Sequence, residues 1–172
     1  MRALFIGRFQ PFHLGHLFIL KEILRENEEV IVAIGSAQLS HTVRDPFTAG
    51  ERFIMIKRAC EGAGIDLARV HILPIEDIHR HALWVRHLET LVPTFRRVYA
   101  NEPLTVRLFV EAGYEVRKTE MMRRNEYSGS EVRRRMIEGL EWRSLVPPGV
   151  AEIIEEIDGE RRILDISKSD AK

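Results

Sequence analysis

His13 and His16 stand three residues apart in the stretch Gly7-Arg8-Phe9-Gln10-Pro11-Phe12-His13-Leu14-Gly15-His16, directly after the apolar run Ala3-Leu4-Phe5-Ile6. Histidines at i and i+3 can face the same way from the first turn of a helix. Two ring N–H donors and a set of free backbone N–H groups then point at one anion. Arg8 adds a guanidinium to the same turn. A metal pair is the other chemistry open to His-x-x-His, but it needs a third ligand close by.

Further donors lie far off in sequence. Arg44 sits in the polar stretch 36–47, and Arg133 follows Ser128-Gly129-Ser130. Residues 117 to 135 also hold Arg117, Lys118, Arg123, Arg124, Arg134 and Arg135. Such a cluster suits a compact polyanion such as a triphosphate; a solvated helix face with ion pairs gives the same pattern. Several common catalytic motifs are missing. There is no Gly-x-x-x-x-Gly-Lys-Ser/Thr loop, no Gly-x-Gly-x-x-Gly turn and no Gly-x-Ser-x-Gly elbow. Cys60 falls inside a helical apolar pattern, where a buried thiol is expected. Histidines and arginines without a nucleophile suit the stabilisation of charge on a transferring phosphoryl group.

These residues need elements to position them. Residues 2–7 read as a strand buried on both faces, and 14–26 as a helix with Leu17, Leu20 and Leu24 on one stripe. A second strand follows from Glu29 to Gly35, then the long polar loop from Ser36 to Phe47. Thr48-Ala49-Gly50-Glu51 reads as a capping box opening the next helix, which fades at Gly62 to Gly64. Val70 to Pro74 is a third strand, and a helix over 80–91 stops before Pro93. Arg97 to Ala100 and Tyr114 to Arg117 are the last strands, flanking a helix that begins at Pro103 and is capped by Gly113. Ser128-Gly129-Ser130-Glu131 reads as a second capping box, and Pro147-Pro148 separates the core from C-terminal helices. Five alternations predict a Rossmann-like, doubly wound parallel five-stranded α/β sheet with helices on both faces. The expected division is 1–146 for the α/β domain and 147–172 for a small helical extension packed on it. Ligands in such folds bind beyond the carboxyl ends of the strands, so the turns after strands one and five converge on one crevice.

Composition narrows the functional classes. The 172 residues are 45% hydrophobic and 30% charged, with zero formal net charge, which describes an ordinary globule and argues against general nucleic-acid binding. No stretch approaches the ~18 apolar residues of a spanning helix. Gly7-Arg8 interrupts the N-terminal apolar run too early for a signal peptide. Cys60 is the lone cysteine, which excludes an intramolecular disulfide. A cytoplasmic protein with no membrane or nucleic-acid partner is expected.

The first turn resembles the Gly-x-Phe-x-Pro-x-His-x-Gly-His motif of the nucleotidyltransferase superfamily. Tyr127-Ser128-Gly129-Ser130-Glu131-Val132-Arg133 is similar to its second motif, Ile-Ser-x-Ser/Thr-x-x-Arg. Gly35-Ser36-Ala37-Gln38, Arg44-Asp45-Pro46-Phe47-Thr48-Ala49-Gly50-Glu51-Arg52 and Ala82-Leu83-Trp84-Val85 resemble archaeal-type nicotinamide-nucleotide adenylyltransferases, and the likeness spans roughly residues 1–160.

That resemblance implies the union of ATP with nicotinamide mononucleotide (NMN) to give NAD and pyrophosphate. It implies catalytic roles for His13, His16, Arg8 and Arg133, and an ATP site built from Gly7, Arg8, Phe9, His13, Gly15, His16, Tyr127, Ser128, Gly129, Ser130 and Arg133. Arg44 would take the mononucleotide phosphate, with Asp77, His81 and Trp84 around the nicotinamide. Mg²⁺ would ride on ATP phosphates with no metal site of the protein's own, and the assembly would be a homo-oligomer, a hexamer being one form. One departure stands out: His81 occupies the place where the family carries Asn before Ala-Leu-Trp. An amide offers a donor and an acceptor side by side, whereas a neutral imidazole offers one of each on opposite sides. On residue type alone, Trp84 is equally a core anchor and Asp77 a helix cap. A sibling enzyme acting on phosphopantetheine and a nucleotide-sensing module without turnover are the rival functions.

Overall fold

The computed structural model describes residues 1–119 and 127–169. Five parallel strands, β1 (Arg2–Gly7), β2 (Glu29–Ile34), β3 (Val70–Pro74), β4 (Arg97–Tyr99) and β5 (Glu115–Arg117), lie in the order β3-β2-β1-β4-β5. Leu4 of the central strand pairs with Ile31 on one side and Val98 on the other. Side chains of a strand alternate between faces, and the two layers follow from that alternation. Ala3, Phe5, Val30 and Val32 face one core, which α1 (Leu14–Glu26), α2 (Ala49–Gly62) and α5 (Gly129–Glu138) cover. Leu4, Ile31, Ala33 and Val98 face the other, under α3 (His81–Leu91) and α4 (Pro103–Glu111). The near-continuous apolar runs of β1 and β2 are needed because both faces are covered.

The chain runs outward from β1 to β3, then crosses back so that β4 pairs with β1 on its free side. Connections after β1 and β4 therefore leave in opposite directions, opening the crevice of doubly wound sheets. Local signals place most helix starts. Thr48 and Glu51 make both bonds of the expected capping box at α2. Pro103 is the first residue of α4, whose preceding Glu102 caps it through the Thr105 N–H at 2.7 Å.

Four expectations are corrected. The Ser128 hydroxyl accepts the Glu131 N–H, but the Glu131 carboxylate pairs with Arg134 and Arg135 rather than closing a box. Helix α3 begins at His81, after Arg80, with no side-chain cap. Asp77 caps nothing; it accepts a bond from Ser36 Oγ at 2.6 Å. Gly113 lies one residue beyond the Ala112 cap of α4, in the left-handed region at φ +87°.

Beyond Pro147 the chain folds into α6 (Pro148–Glu156) and α7 (Gly159–Ser169). Ile154 and Ile163 join the same core as Met55 and Val132. Arg162 of α7 grips Glu51 with two bonds of 2.8 Å and reaches the Pro46 carbonyl at 3.2 Å, so α7 braces the end of the loop that carries Arg44. Cys60 is fully buried, and burial pushes its thiol up to about 12, which keeps it protonated and unreactive. Among the described residues, no helix is long and apolar enough to cross a membrane.

Candidate active site

The turn after β1 builds the first wall. His13 is the N-cap of α1, and its Nδ1 accepts the His16 N–H at 3.3 Å. The His16 Nδ1 accepts the His13 N–H in return, also at 3.3 Å. This capping box is made by two histidines in place of the Ser/Thr and Glu/Gln that usually make it. Its chemical consequence is the tautomer: with both Nδ1 atoms accepting, each ring carries its proton on Nε2. The rings stack at 3.5 Å between centroids, and Phe9 and Phe12 hold His16 from behind. Gly15 lets them pack closely, since a Cβ there would lie 3.1 Å from the His13 ring and 3.2 Å from Tyr127 Cβ, tight enough to push a neighbour aside.

Burial, and then the charge of Arg133, lowers His13 to about 3; burial and His13 itself hold His16 well below its ordinary value. Both rings are neutral donors near pH 7. In the unfolded chain they regain a value near 6.5, so unfolding takes up protons below that pH. Stability is therefore fully present above about pH 6.5 and falls as the pH drops toward 3. Denaturant titrations of the ligand-free protein between pH 6.5 and 5 should show a loss that steepens toward about 1.4 kcal/mol per pH unit for each histidine. His13→Asn, which can still cap α1, should flatten that slope; an unchanged slope would mean that His13 is charged in the fold.

The second wall comes from α5. Gly129 approaches the first turn so closely that a Cβ would sit 2.9 Å from the Gln10 carbonyl oxygen. Arg133 donates to that same oxygen at 2.7 Å and to Ser130 Oγ at 3.3 Å. Burial and the charges of Arg8 and Arg44 pull Arg133 down to about 10, with Asp45 opposing. Arg8 contacts the buried Asp45 at 3.3 Å. Arg133 thus feels two other guanidiniums and one buried carboxylate, an excess of positive charge that favours a polyanion.

Against the first wall lies a cavity of about 840 Å³, lined by Arg8, His16, Arg44, Asp77, His81 and Trp84 among others. A neighbouring cavity of about 490 Å³ is lined by Arg44, Ser130 and Arg133. Arg44 and Thr42 border both. The structure therefore brings together expected residues from four distant stretches. Gly7 lines the larger cavity too, whereas Ser128 and Gly129 contribute the start of α5. Two placements differ from the simplest expectation. Phe9 is 1% exposed, its ring edge-on to His16, so the ring supports the histidine instead of facing the cavity. His13 is also 1% exposed, and His16 is the member of the pair that reaches the cavity wall. Trp84 packs edge-on against Phe109 in the core and also borders the cavity.

The basic stretch divides clearly. Arg134 and Arg135 pair with Glu131, and Arg117 pairs with Glu26 and Glu115, so these are surface ion pairs. Arg123 and Arg124 lie outside the described residues. Sequence reasoning missed Gln10, whose amide makes both bonds to the Phe47 backbone, at 2.9 and 3.0 Å, and ties the first turn to the end of the Arg44 loop. It also missed Arg52 and the positive φ of Phe9, Ser36, His41 and His79, loop positions of a kind that often accompanies function.

Comparison with known proteins agrees with this architecture. The family model for cytidylyltransferase-like proteins matches residues 4–135. The nicotinamide-nucleotide adenylyltransferase of Picrophilus torridus is 55% identical over 170 residues, covering 99% of this chain and 99% of that protein. The nicotinamide-nucleotide adenylyltransferase of Archaeoglobus fulgidus is 54% identical over 174 residues, again 99% of each. Among solved structures, a bifunctional NMN adenylyltransferase/ADP ribose pyrophosphatase from Francisella tularensis, crystallised with AMP and an Mn ion, shares the fold with a TM-score of 0.80 at 22% identity. That match covers 98% of this chain and 53% of the bifunctional protein, so this chain spans about half its length. With identity above half along its whole length, the chain belongs to the cytidylyltransferase-like family and, within it, to the nicotinamide-nucleotide adenylyltransferases.

Proposed function

We propose that the protein transfers the adenylyl group of ATP to nicotinamide mononucleotide, with in-line attack of the mononucleotide's 5′-phosphate oxygen on the α-phosphorus. A bond forms from that oxygen to phosphorus, the bond from the α-phosphorus to the bridging oxygen breaks, and pyrophosphate leaves with the electron pair. The attacking oxygen is already anionic, so no general base is required. The observation that carries this reading is His16, its Nδ1 committed to the His13 N–H, on the wall of a cavity that Arg8 and Arg44 also line, with Arg133 on the neighbouring one.

In this mechanism His16 donates to the charge that builds on the α-phosphate, and His13 holds it there and adds its own donor. Preorganised neutral donors of this kind act without reorganising at the moment of reaction. Arg8 and Arg133 bind the ATP phosphates beside the N-terminus of α5, where Ser128, Gly129 and Ser130 bring the N–H groups of the helix start. Gly7, Phe9, Gly15 and Tyr127 shape the same wall. Arg44 holds the mononucleotide phosphate, Trp84 stacks on the nicotinamide ring, and Asp77 and His81 border its carboxamide.

Mg²⁺ fits this donor set as a rider on the triphosphate. The described residues contain no group of three metal-ligating side chains, and Mg²⁺ commonly keeps its waters while binding substrate phosphates. When bound, it would neutralise charge on the leaving pyrophosphate. By the same family reading the enzyme works in the cytoplasm as a homo-oligomer, a hexamer being one form, with residues 1–146 as the catalytic unit and 147–172 bracing it.

Purified protein supplied with ATP, Mg²⁺ and nicotinamide mononucleotide should form NAD and pyrophosphate in equal amounts. Turnover with phosphopantetheine and none with the mononucleotide would replace the acceptor assignment. ATP binding without any turnover would make the protein a nucleotide sensor.

A further inference from the structure

Arg52 lies in the first turn of α2 and is fully buried, and none of its hydrogen bonds goes to a side chain. Its Nε donates to the Thr48 carbonyl at 3.2 Å. Nη1 donates to the carbonyls of Arg8 and Gly35, both at 2.9 Å. Nη2 donates to Ser36 at 3.1 Å and Leu39 at 3.5 Å. A guanidinium has five N–H groups in a rigid fork, and here five backbone carbonyls receive them. Burial lowers Arg52 to about 10, with Asp45 pulling the other way, so it remains a cation near neutral pH.

A buried cation solvated only by carbonyl dipoles is costly to the fold, and a well-packed apolar side chain often serves stability as well or better. What this arrangement provides is geometry. Arg8, Gly35, Ser36 and Leu39 all line the 840 Å³ cavity, and they come from two separate segments of its wall. Ser36 in turn donates to Asp77 at 2.6 Å, and the Gln38 and Asp77 segments exchange two further bonds, at 3.3 and 3.1 Å. The path Arg8–Arg52–Ser36–Asp77 therefore crosses from the proposed ATP side to the proposed nicotinamide side through one side chain.

We propose that Arg52 is a positioning residue for the reaction, holding the loops after β1 and β2 at a fixed separation so that the two substrates meet in line. The proposal rests on the adenylyl-transfer reading. A lysine keeps the charge but places its three donors on one nitrogen, so it cannot span carbonyls on both sides of a planar fork. Misplacement of reacting groups by about 1 Å can cost on the order of 10²-fold in rate.

The test compares wild type, R52K and R52Q. Circular dichroism monitors the fold, steady-state kinetics vary each substrate in turn, and calorimetry with ATP alone reports binding. R52K should fold, with kcat lowered about tenfold or more and KM raised for both substrates. Lower melting temperature with wild-type kcat and KM at 25 °C would make Arg52 a stability residue and overturn the proposal. Loss of the fold in both variants would overturn it equally. Wild type making no NAD would instead sink the adenylyl-transfer reading, an outcome the kinetics of wild type alone reveals.

Discussion

His16→Ala lowers kcat by on the order of 10²–10³-fold while the protein still folds, the expected cost of removing one preorganised donor to developing charge. The magnitude follows from the double histidine cap. Because its Nδ1 accepts the His13 N–H, His16 presents Nε2–H in one tautomer only, and the Phe9 and Phe12 rings fix its plane. Nothing has to rotate or deprotonate as the α-phosphorus gains its fifth oxygen. The fold should survive because α1 keeps its N-cap bond from the His16 N–H to the His13 ring, which the alanine backbone can still make. What is lost is the reciprocal bond, at about 1 kcal/mol for half of a cap. Rapid-quench measurement of single-turnover NAD formation, with circular dichroism on the same sample, checks both parts. A rate within a factor of three of wild type would reduce His16 to a helix cap.

The same pair shows what sequence could and could not supply. Its spacing placed both histidines on the first turn of a helix and pointed to an anion, and α1 starts at Leu14 with His13 as its cap. The sheet was legible for a similarly local reason: β1 and β2 are apolar enough to be covered on both faces, and β3 matches residue for residue at Val70–Pro74. The reciprocal ring-to-backbone bonds were hidden because a histidine capping box has no familiar signature. Arg52 was hidden for a different reason. In sequence it is an ordinary charged residue in a helix's first turn; its burial depends on the loops after β1 and β2 closing over it, and periodicity carries no record of that. The basic stretch 117–135 fails in the opposite direction. Charge counting gathered residues that the fold separates: Arg133 and Arg134 border the smaller cavity, Arg134 while paired with Glu131 and Glu138, whereas Arg117 and Arg135 are held by glutamates away from it.

Arg133 carries the other large effect. Arg133→Gln should weaken ATP binding by on the order of 10²–10³-fold, because a hydrogen bond to a charged group contributes about 1.5–3 kcal/mol and a guanidinium can give two. The ligand-free protein should behave quite differently. Arg133 is pulled down to about 10 first by burial and then by repulsion from Arg8 and Arg44. Removing its charge relieves that repulsion, and this offsets the loss of the 2.7 Å bond to the Gln10 carbonyl. The melting temperature without ligand should therefore stay within a few degrees of wild type, while the rise that ATP produces should nearly vanish. Ligand stabilisation follows RT ln(1 + [L]/Kd), so a 10²-fold weaker site loses about 2.7 kcal/mol of it at saturating ATP. Thermal unfolding of both proteins with and without ATP, at matched ionic strength, makes the comparison. An equal ATP-induced rise in the two would show that the triphosphate rests on other residues. A large fall in the ligand-free value would show that Arg133 holds α5 to the first turn before it holds any nucleotide. The physical claim is that this guanidinium is placed where the empty protein gains little from it, so that its favourable interactions are made with the phosphates.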